Sequence, residues 1–302
     1  MDGLDDLDTR LLVDLLRDHS DPRKSLGQHY LVDDQVIDRT MEIPGEFSEQ
    51  LSRGSHVLEV GPGPGSLTLA LLRSHAKVTA IEIDKESVAH LERVFGDREN
   101  PLLIQEADAV EEKWPEGITH VISNLPYQIS SPIIERITRY NASEGIKLAI
   151  ILVQEEFAHR MAMSTPPYDI GPLGLSLWLD FDVFLDRKVP PSSFSPSPRV
   201  NSRLVVMKPS NREEASGIDK RLFRMVTKHC FANRRRKLRT LLSKPPTRIS
   251  RINGWHKDRW EKASSEIIST GSTRLASDWA DMRPENLDPL DWVTIVSELS
   301  SK

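Results

Sequence analysis

The sequence predicts an α/β protein: a mostly parallel sheet covered by helices on both faces, followed by a helical C-terminal region. Three observations predict it. From Ser55 onward, short β-rich runs alternate with helical stretches, the alternation that builds βαβ units. A glycine-rich turn, Gly61-Pro62-Gly63-Pro64-Gly65, lies between the first of these runs and the helical stretch after it. Beyond Lys208 the pattern becomes helix broken by Pro245, Pro246, Pro284 and Pro289, which puts a boundary near 208–217.

Taken in order, Leu4, Leu7, Leu11, Leu12, Leu15 and Leu16 recur at helical spacing and predict an amphipathic helix in an N-terminal extension, 1–23. Residues 24–34, KSLGQHYLVDD, have no such period and read as a loop. Strands are predicted at HVLEV, KVTAIEI, LLIQ, HVIS and KLAIILV, with helices over 66–74, 85–95, 131–140 and 154–163. Two more strands, near 180–188 and 199–207, flank a Pro-rich stretch at 190–198 and would add an antiparallel edge to the same sheet. The α/β domain is thus expected over 24–208 and the helical domain over 209–302.

At 302 residues the chain is long enough for about two domains. Hydrophobic residues make up 38% and charged residues 28%, which excludes disordered, collagen-like and low-complexity classes. The single cysteine, Cys230, rules out an internal disulfide and any multi-cysteine metal centre. The nine histidines contain no H-E-x-x-H pair, so no metal site is expected. No run approaches the roughly 18 apolar residues of a membrane span, and Asp2, Asp5, Asp6 and Asp8 stand where a secretion signal would be basic. A cytoplasmic protein without membrane contact is expected.

The net charge of −5 hides a segregation. Residues 1–22 hold seven Asp against Arg10 and Arg17, whereas 220–251 hold twelve Lys or Arg and no carboxylate. Residues 187–212 add six basic residues, again without an acid. A polyanion feels local surfaces rather than the total, because exposed charges are screened beyond about 10 Å. Nucleic-acid contact is favoured over a merely solvated helix face.

The glycine turn is not the dinucleotide fingerprint, because Ser66 stands where G-x-G-x-x-G needs its last glycine. Glu59, just before the turn, suits a cationic ligand better than a phosphate, and S-adenosylmethionine carries a sulfonium and an ammonium. Glu82, 21 residues after Gly61, ends the second strand, where an acceptor would meet ribose hydroxyls. Asp108 follows the third strand, where a carboxylate can accept from an adenine amino group. The competing reading makes the turn structural and the two acids ordinary solvated strand ends.

After the fourth strand comes Asn124-Leu125-Pro126-Tyr127. These residues suit methylation of an exocyclic amine, whose lone pair is delocalised into its ring. The Asn124 oxygen and a backbone carbonyl of Leu125 or Pro126 would accept the two N–H groups and localise that lone pair. Tyr127 would offer a face for base stacking, worth about 1–3 kcal/mol. Phe194, in the Pro-rich stretch, would form the other wall around an extruded base; the competing reading is a hydrophobic plug.

Together these motifs resemble the KsgA-type ribosomal RNA adenine N6,N6-dimethyltransferases. The resemblance is carried by Lys24-Ser25-Leu26-Gly27-Gln28 with Leu31, Glu59 to Gly65, Glu82, Asp108, Asn124 to Tyr127, Val153 to Ala158, Val189 to Phe194, and Phe231 to Arg239. It implies a Rossmann-like class I methyltransferase with a seven-stranded sheet, a small helical C-terminal domain, and dimethylation of two adjacent adenosines near the 3′ end of small-subunit ribosomal RNA. By position, it implies cofactor contacts from His29, Leu31, Gly61, Glu82, Asp108 and Asn124, and a target-base pocket of Asn124, Leu125, Pro126, Tyr127 and Phe194. Arg234, Arg235, Arg236, Lys237 and Arg239 are expected to meet RNA phosphates, spread over more than one face of a helix. The expected partner is ribosomal RNA in a pre-ribosomal particle, and the protein is expected to act as a monomer.

Two segments depart from the family pattern, Gly27 to Leu31 where many bacterial members read Gly-Gln-Asn-Phe-Leu and Gly171 to Gly174 where the family usually reads Gly-Arg-Leu-Ser. His29 stands where many bacterial members have Asn, and Pro172 stands where the family usually has an RNA-contacting Arg. The rival reading from another class is a non-catalytic RNA-binding or ribosome-assembly factor retaining the fold. A DNA adenine methyltransferase lacks a sequence-reading module here, and a nicotinamide-dependent oxidoreductase is disfavoured by Ser66.

Overall fold

The structure, a computed structural model, describes residues 4–96, 102–164 and 170–302. Its strands are β1 (Tyr30–Leu31), β2 (His56–Val60), β3 (Lys77–Glu82), β4 (Leu102–Glu106), β5 (His120–Asn124), β6 (Leu148–Gln154), β7 (Phe181–Val189), β8 (Phe194–Ser195) and β9 (Ser202–Pro209). Seven of them form one sheet in the order β4-β3-β2-β5-β6-β9-β7. The pairs from β4 through β6 are parallel, and β9 runs antiparallel to β6. The expected antiparallel addition is present, with β9 lying inside the sheet and β7 at its edge.

The central strands are continuous apolar runs because helices cover both faces, and every residue of β2 is buried. Strand order reverses between β2 and β5: β3 and β4 lie to one side, and β6 lies to the other. The carboxyl ends of β2 and β5 therefore flank the crevice where α/β sheets bind ligands. The glycine turn and Asn124 sit at those two ends.

The chain divides into two compact units, Met1–Ala158 with Val183–Pro209, and His159–Asp182 with Ser210–Lys302. The expected single boundary near 208–217 misses the earlier excursion. The helix Pro172–Trp178 goes with the second unit because Leu175 and Leu179 pack in one core with Leu222, Phe223 and Val226. That core also buries Trp260, Trp279 and Trp292. Among the described residues, no helix is long and apolar enough to cross a membrane.

The first helix is shorter than the leucine pattern suggests. It spans Thr9–Arg17 because the Asp8 carboxylate caps it, accepting the Leu11 N–H at 2.8 Å. Leu12 and Leu16 are buried, while Leu11 is 38% exposed. Leu7 and Leu12 join the core of the first unit, and the Arg73 guanidinium donates to the Leu4 and Leu7 carbonyls at 2.7 and 2.9 Å. The segment expected as an extension is thus tied into this unit. The residues expected as a loop, 24–34, include β1, which pairs antiparallel with β8.

Candidate functional site

At the carboxyl end of β2 the turn is built from left-handed glycines. Gly61 has φ +66° and Gly63 has φ +56°, conformations that side chains strain to adopt. A Cβ on Gly63 would lie 3.1 Å from the Tyr30 ring, and one on Gly61 would lie 3.3 Å from Pro126 Cδ. The turn therefore packs directly on the tetrapeptide of the neighbouring strand. Beside it opens a cleft of about 1050 Å³, including its mouth, lined by Gly61, Glu82, Ile83, Asp108, Asn124 and Tyr127 among others.

Glu59 is buried beneath the turn. It is 2% exposed, and its Oε2 accepts the Thr68 hydroxyl at 2.6 Å. Burial, aided by nearby Glu82, pushes its carboxyl up to about 8, so it is largely the neutral acid at pH 7. Glu59 nonetheless lines the cleft beside the glycine turn, where the sequence expects it to favour a cationic ligand.

Glu82 ends β3 with both oxygens engaged. Oε2 accepts the Gly63 N–H at 3.1 Å, and Oε1 accepts the Ile83 and Asp84 N–H groups at 2.9 Å each. Burial raises its pKa, opposed by these backbone donors. Each carboxylate oxygen offers more than one lone-pair site, so an acceptor remains for a ligand. Asp108 is exposed at the cleft, its Oδ1 turned back to the Val110 N–H at 2.8 Å. Between the two acids Ile83 is 51% exposed, an apolar side chain at the cleft that no sequence motif marks.

Asn124 ends β5, and its Nδ2 donates to the His29 carbonyl at 3.0 Å. That bond turns the amide oxygen to the opposite side. Leu125 is buried, and its N–H donates to the Leu152 carbonyl at 3.1 Å. The Pro126 carbonyl is taken by the Ile129 N–H at 3.1 Å, closing a tight turn. Of the two carbonyls expected to accept an amine, Leu125 is the one this turn leaves. The Tyr127 hydroxyl pairs with the Ser202 Oγ at 2.7 Å, and burial raises its pKa.

His29 lines the cleft, but its ring Nδ1 lies 2.7 Å from the Pro196 carbonyl, and the ring packs against Tyr127. Gln28, marked in the sequence only as part of a motif, joins this segment to the rest of the site. Its Nε2 donates to Asp84 at 3.0 Å, and its Oε1 accepts the Tyr30 hydroxyl at 3.1 Å. Leu31 lines the cleft and is 4% exposed.

Phe194 is not a cleft wall in this structure. It is 4% exposed and lies in the hydrophobic core, held there by its pairing with Leu31 in β8 and β1. The basic cluster also differs from expectation. The helix Lys220–Phe231 ends before it, so Arg234, Arg235 and Arg236 lie exposed in the connection to Leu238–Leu242. Lys237 and Arg239 both pair with Asp281, at 3.1 and 2.9 Å, and are partly neutralised.

The sequence and the fold are each similar to those of known proteins. Residues 19–253 match the family described as Ribosomal RNA adenine dimethylase. A Probable ribosomal RNA small subunit methyltransferase A of Methanopyrus kandleri is 32% identical over 268 residues, covering 89% of this chain and 88% of its own. The namesake from Haloarcula marismortui is 39% identical over 217 residues, 70% of this chain and 72% of its own. Among solved structures, a dimethyladenosine transferase from Plasmodium falciparum superposes with a TM-score of 0.71 at 23% identity, covering 89% of this chain and 96% of its own.

Proposed function

The chain belongs to the ribosomal RNA adenine dimethylase family, and from that premise we propose that it transfers methyl groups from S-adenosylmethionine to the N6 amines of two adjacent adenosines near the 3′ end of small-subunit ribosomal RNA. One observation carries the reading: the Asn124 amide, oriented by the His29 carbonyl, stands at the strand-order reversal beside the glycine turn. That is the place in such a sheet where bound ligand and acceptor amine meet.

The residues present fit S-adenosylmethionine. Gly61 and Gly63 bring bare backbone to the cleft, Glu82 offers acceptors for ribose hydroxyls, and Ile83 with Asp108 offers an apolar face and an acceptor for adenine. Gly61, Leu31, Asn124 and the main chain of His29 complete the proposed contacts, the His29 Nδ1 being bonded to the Pro196 carbonyl. When bound, the sulfonium supplies an electrophilic methyl. The Asn124 oxygen and the Leu125 carbonyl accept the two N–H groups of the amine and draw its nitrogen toward tetrahedral geometry. Tyr127, fixed by Ser202, supplies the stacking face. No strong base is needed, because the methylated ammonium is acidic and yields its proton to water.

Arg234, Arg235 and Arg236 would meet RNA phosphates, with Lys237 and Arg239 contributing less because of Asp281. We take the substrate to be ribosomal RNA within a pre-ribosomal particle and the enzyme to act as a monomer in the cytoplasm. The rival assembly-factor reading leaves the oriented Asn124 without a use. Incubation with labelled S-adenosylmethionine and separate small and large subunits tests the proposal: label is expected in small-subunit dimethyladenosine. No label, or label in the large subunit alone, overturns it.

A further inference from the structure

His29 stands where three parts of the site meet. Its carbonyl accepts from Asn124 at 3.0 Å, its Nδ1 contacts the Pro196 carbonyl at 2.7 Å, and its ring centroid lies 5.6 Å from that of Tyr127, tilted by 30°. A carbonyl oxygen only accepts, so the imidazole carries a proton on Nδ1 and donates it there. The residues that follow are bound to the same stretch of chain. Tyr30 and Leu31 pair with Ser195 and Phe194, the Val32 N–H donates to the Ser193 carbonyl at 2.9 Å, and the Ser193 hydroxyl donates to Asp33 at 2.6 Å. Residues 29–33 and 193–196 are thus one hydrogen-bonded unit, and the imidazole is where that unit reaches Tyr127.

Tyr127 is tethered at its backbone and, through its hydroxyl, at Ser202. A ring held at its two ends can still rock about the line joining them. A second ring packed beside it, with centroids 5.6 Å apart and itself latched to a carbonyl, restricts that freedom. We infer that the His29 imidazole is a positioning residue for methyl transfer, latching the Pro196 segment and backing Tyr127 so that the target base meets a fixed platform. The inference rests on the proposed reaction and is separate from any cofactor contact made by the His29 main chain.

The test compares His29→Asn, His29→Leu and His29→Ala. The Asn amide nitrogen sits near the place of Nδ1 and keeps a donor for Pro196; Leu keeps bulk without a donor, and Ala keeps neither. S-adenosylmethionine affinity is expected to change less than kcat in all three, because the cofactor contact proposed for His29 is made by its main chain. In His29→Leu and His29→Ala, kcat on small-subunit particles falls about tenfold or more while KM moves less, the mark of a platform no longer oriented. Amide hydrogen exchange over 193–199 rises about three- to tenfold, as expected for one neutral hydrogen bond. His29→Asn restores exchange protection and much of kcat. Unchanged kcat and exchange in both donor-free variants would overturn the inference, and so would cofactor affinity falling in step with activity. If the wild type methylates neither subunit, the proposed function fails, and the positioning role with it; the exchange comparison then still reports whether the latch exists.

Discussion

Glu82 at the end of β3 accepts the backbone N–H of Gly63 at 3.1 Å, so the acid placed for a ribose also holds the turn beside it. Its replacement carries two costs. Glu82→Ala should weaken S-adenosylmethionine about ten- to a hundredfold, the loss of a charge-assisted acceptor worth about 1.5–3 kcal/mol. It should also lower the melting temperature without ligand, because the buried Gly63 and Asp84 N–H groups and the part-buried Ile83 N–H lose their partner. Calorimetric titration and a thermal melt check the two effects; an unchanged dissociation constant would make Glu82 a purely structural acid.

Asn124→Ala removes the acceptor that gains strength as the amine nitrogen becomes tetrahedral. Turnover should fall roughly 10²- to 10³-fold, by analogy with loss of one donor from an oxyanion hole. Cofactor affinity should fall far less. Single-turnover methylation beside a binding titration checks this, and near-normal methylation would remove Asn124 from the mechanism.

Glu59 makes stability fall as pH rises. Its buried carboxyl sits at about 8 when folded, against 4.5 ordinarily, so between those values the folded state holds a proton that the unfolded state releases. Glu59→Gln keeps an acceptor for Thr68 and removes that proton, so its melting temperature relative to wild type should climb from pH 5 to pH 8. A constant difference across that range would contradict the neutral-acid assignment.

The buried histidines act in the opposite sense. His56, His90 and His120 are all held below the ordinary 6.5, burial being the largest cause in each. Their contribution is fully present above that value and is lost as pH falls below it, because the unfolded chain binds the extra protons. His90 also contacts the Pro64 carbonyl in the glycine turn through Nε2 at 3.1 Å. Melts of wild type and His90→Gln from pH 7.5 down to pH 5 should converge as the wild type loses its advantage; parallel curves would show that His90 does not titrate below its free value.

Arg234→Ala with Arg235→Ala should reduce the slope of log affinity against log salt for small-subunit particles by about 0.7–0.9 for each phosphate that an arginine no longer neutralises. Cofactor binding should not change. Lys237→Ala and Arg239→Ala should change the slope less, since both cations already share Asp281. Unaltered slopes in the double variant would make the cluster structural.

Much of the frame is legible in the sequence. The strands at 56–60, 77–82 and 120–124 fall where their apolar runs predict, because helices on both sides of a parallel sheet demand such runs. The short strand β1 is not legible: two residues have no period, and only the partner at 194–195 makes them a strand. For Phe194 the sequence leaves a pocket wall and a hydrophobic plug both open, and its burial in the core is visible only in the tertiary structure.

By itself the sequence determined the βαβ order, the glycine turn and the Asn124–Tyr127 tetrapeptide, since each is written in a contiguous run whose spacing has a local physical meaning. Tertiary structure alone decided that Glu59 is a buried neutral acid, that Arg234 to Arg236 lie in a connection rather than on a helix, and that His29 faces both Asn124 and Pro196. The reason is reach: the two His29 contacts join residues 95 and 167 positions apart, and a hydrogen bond across such a span leaves no mark on the residues around either end.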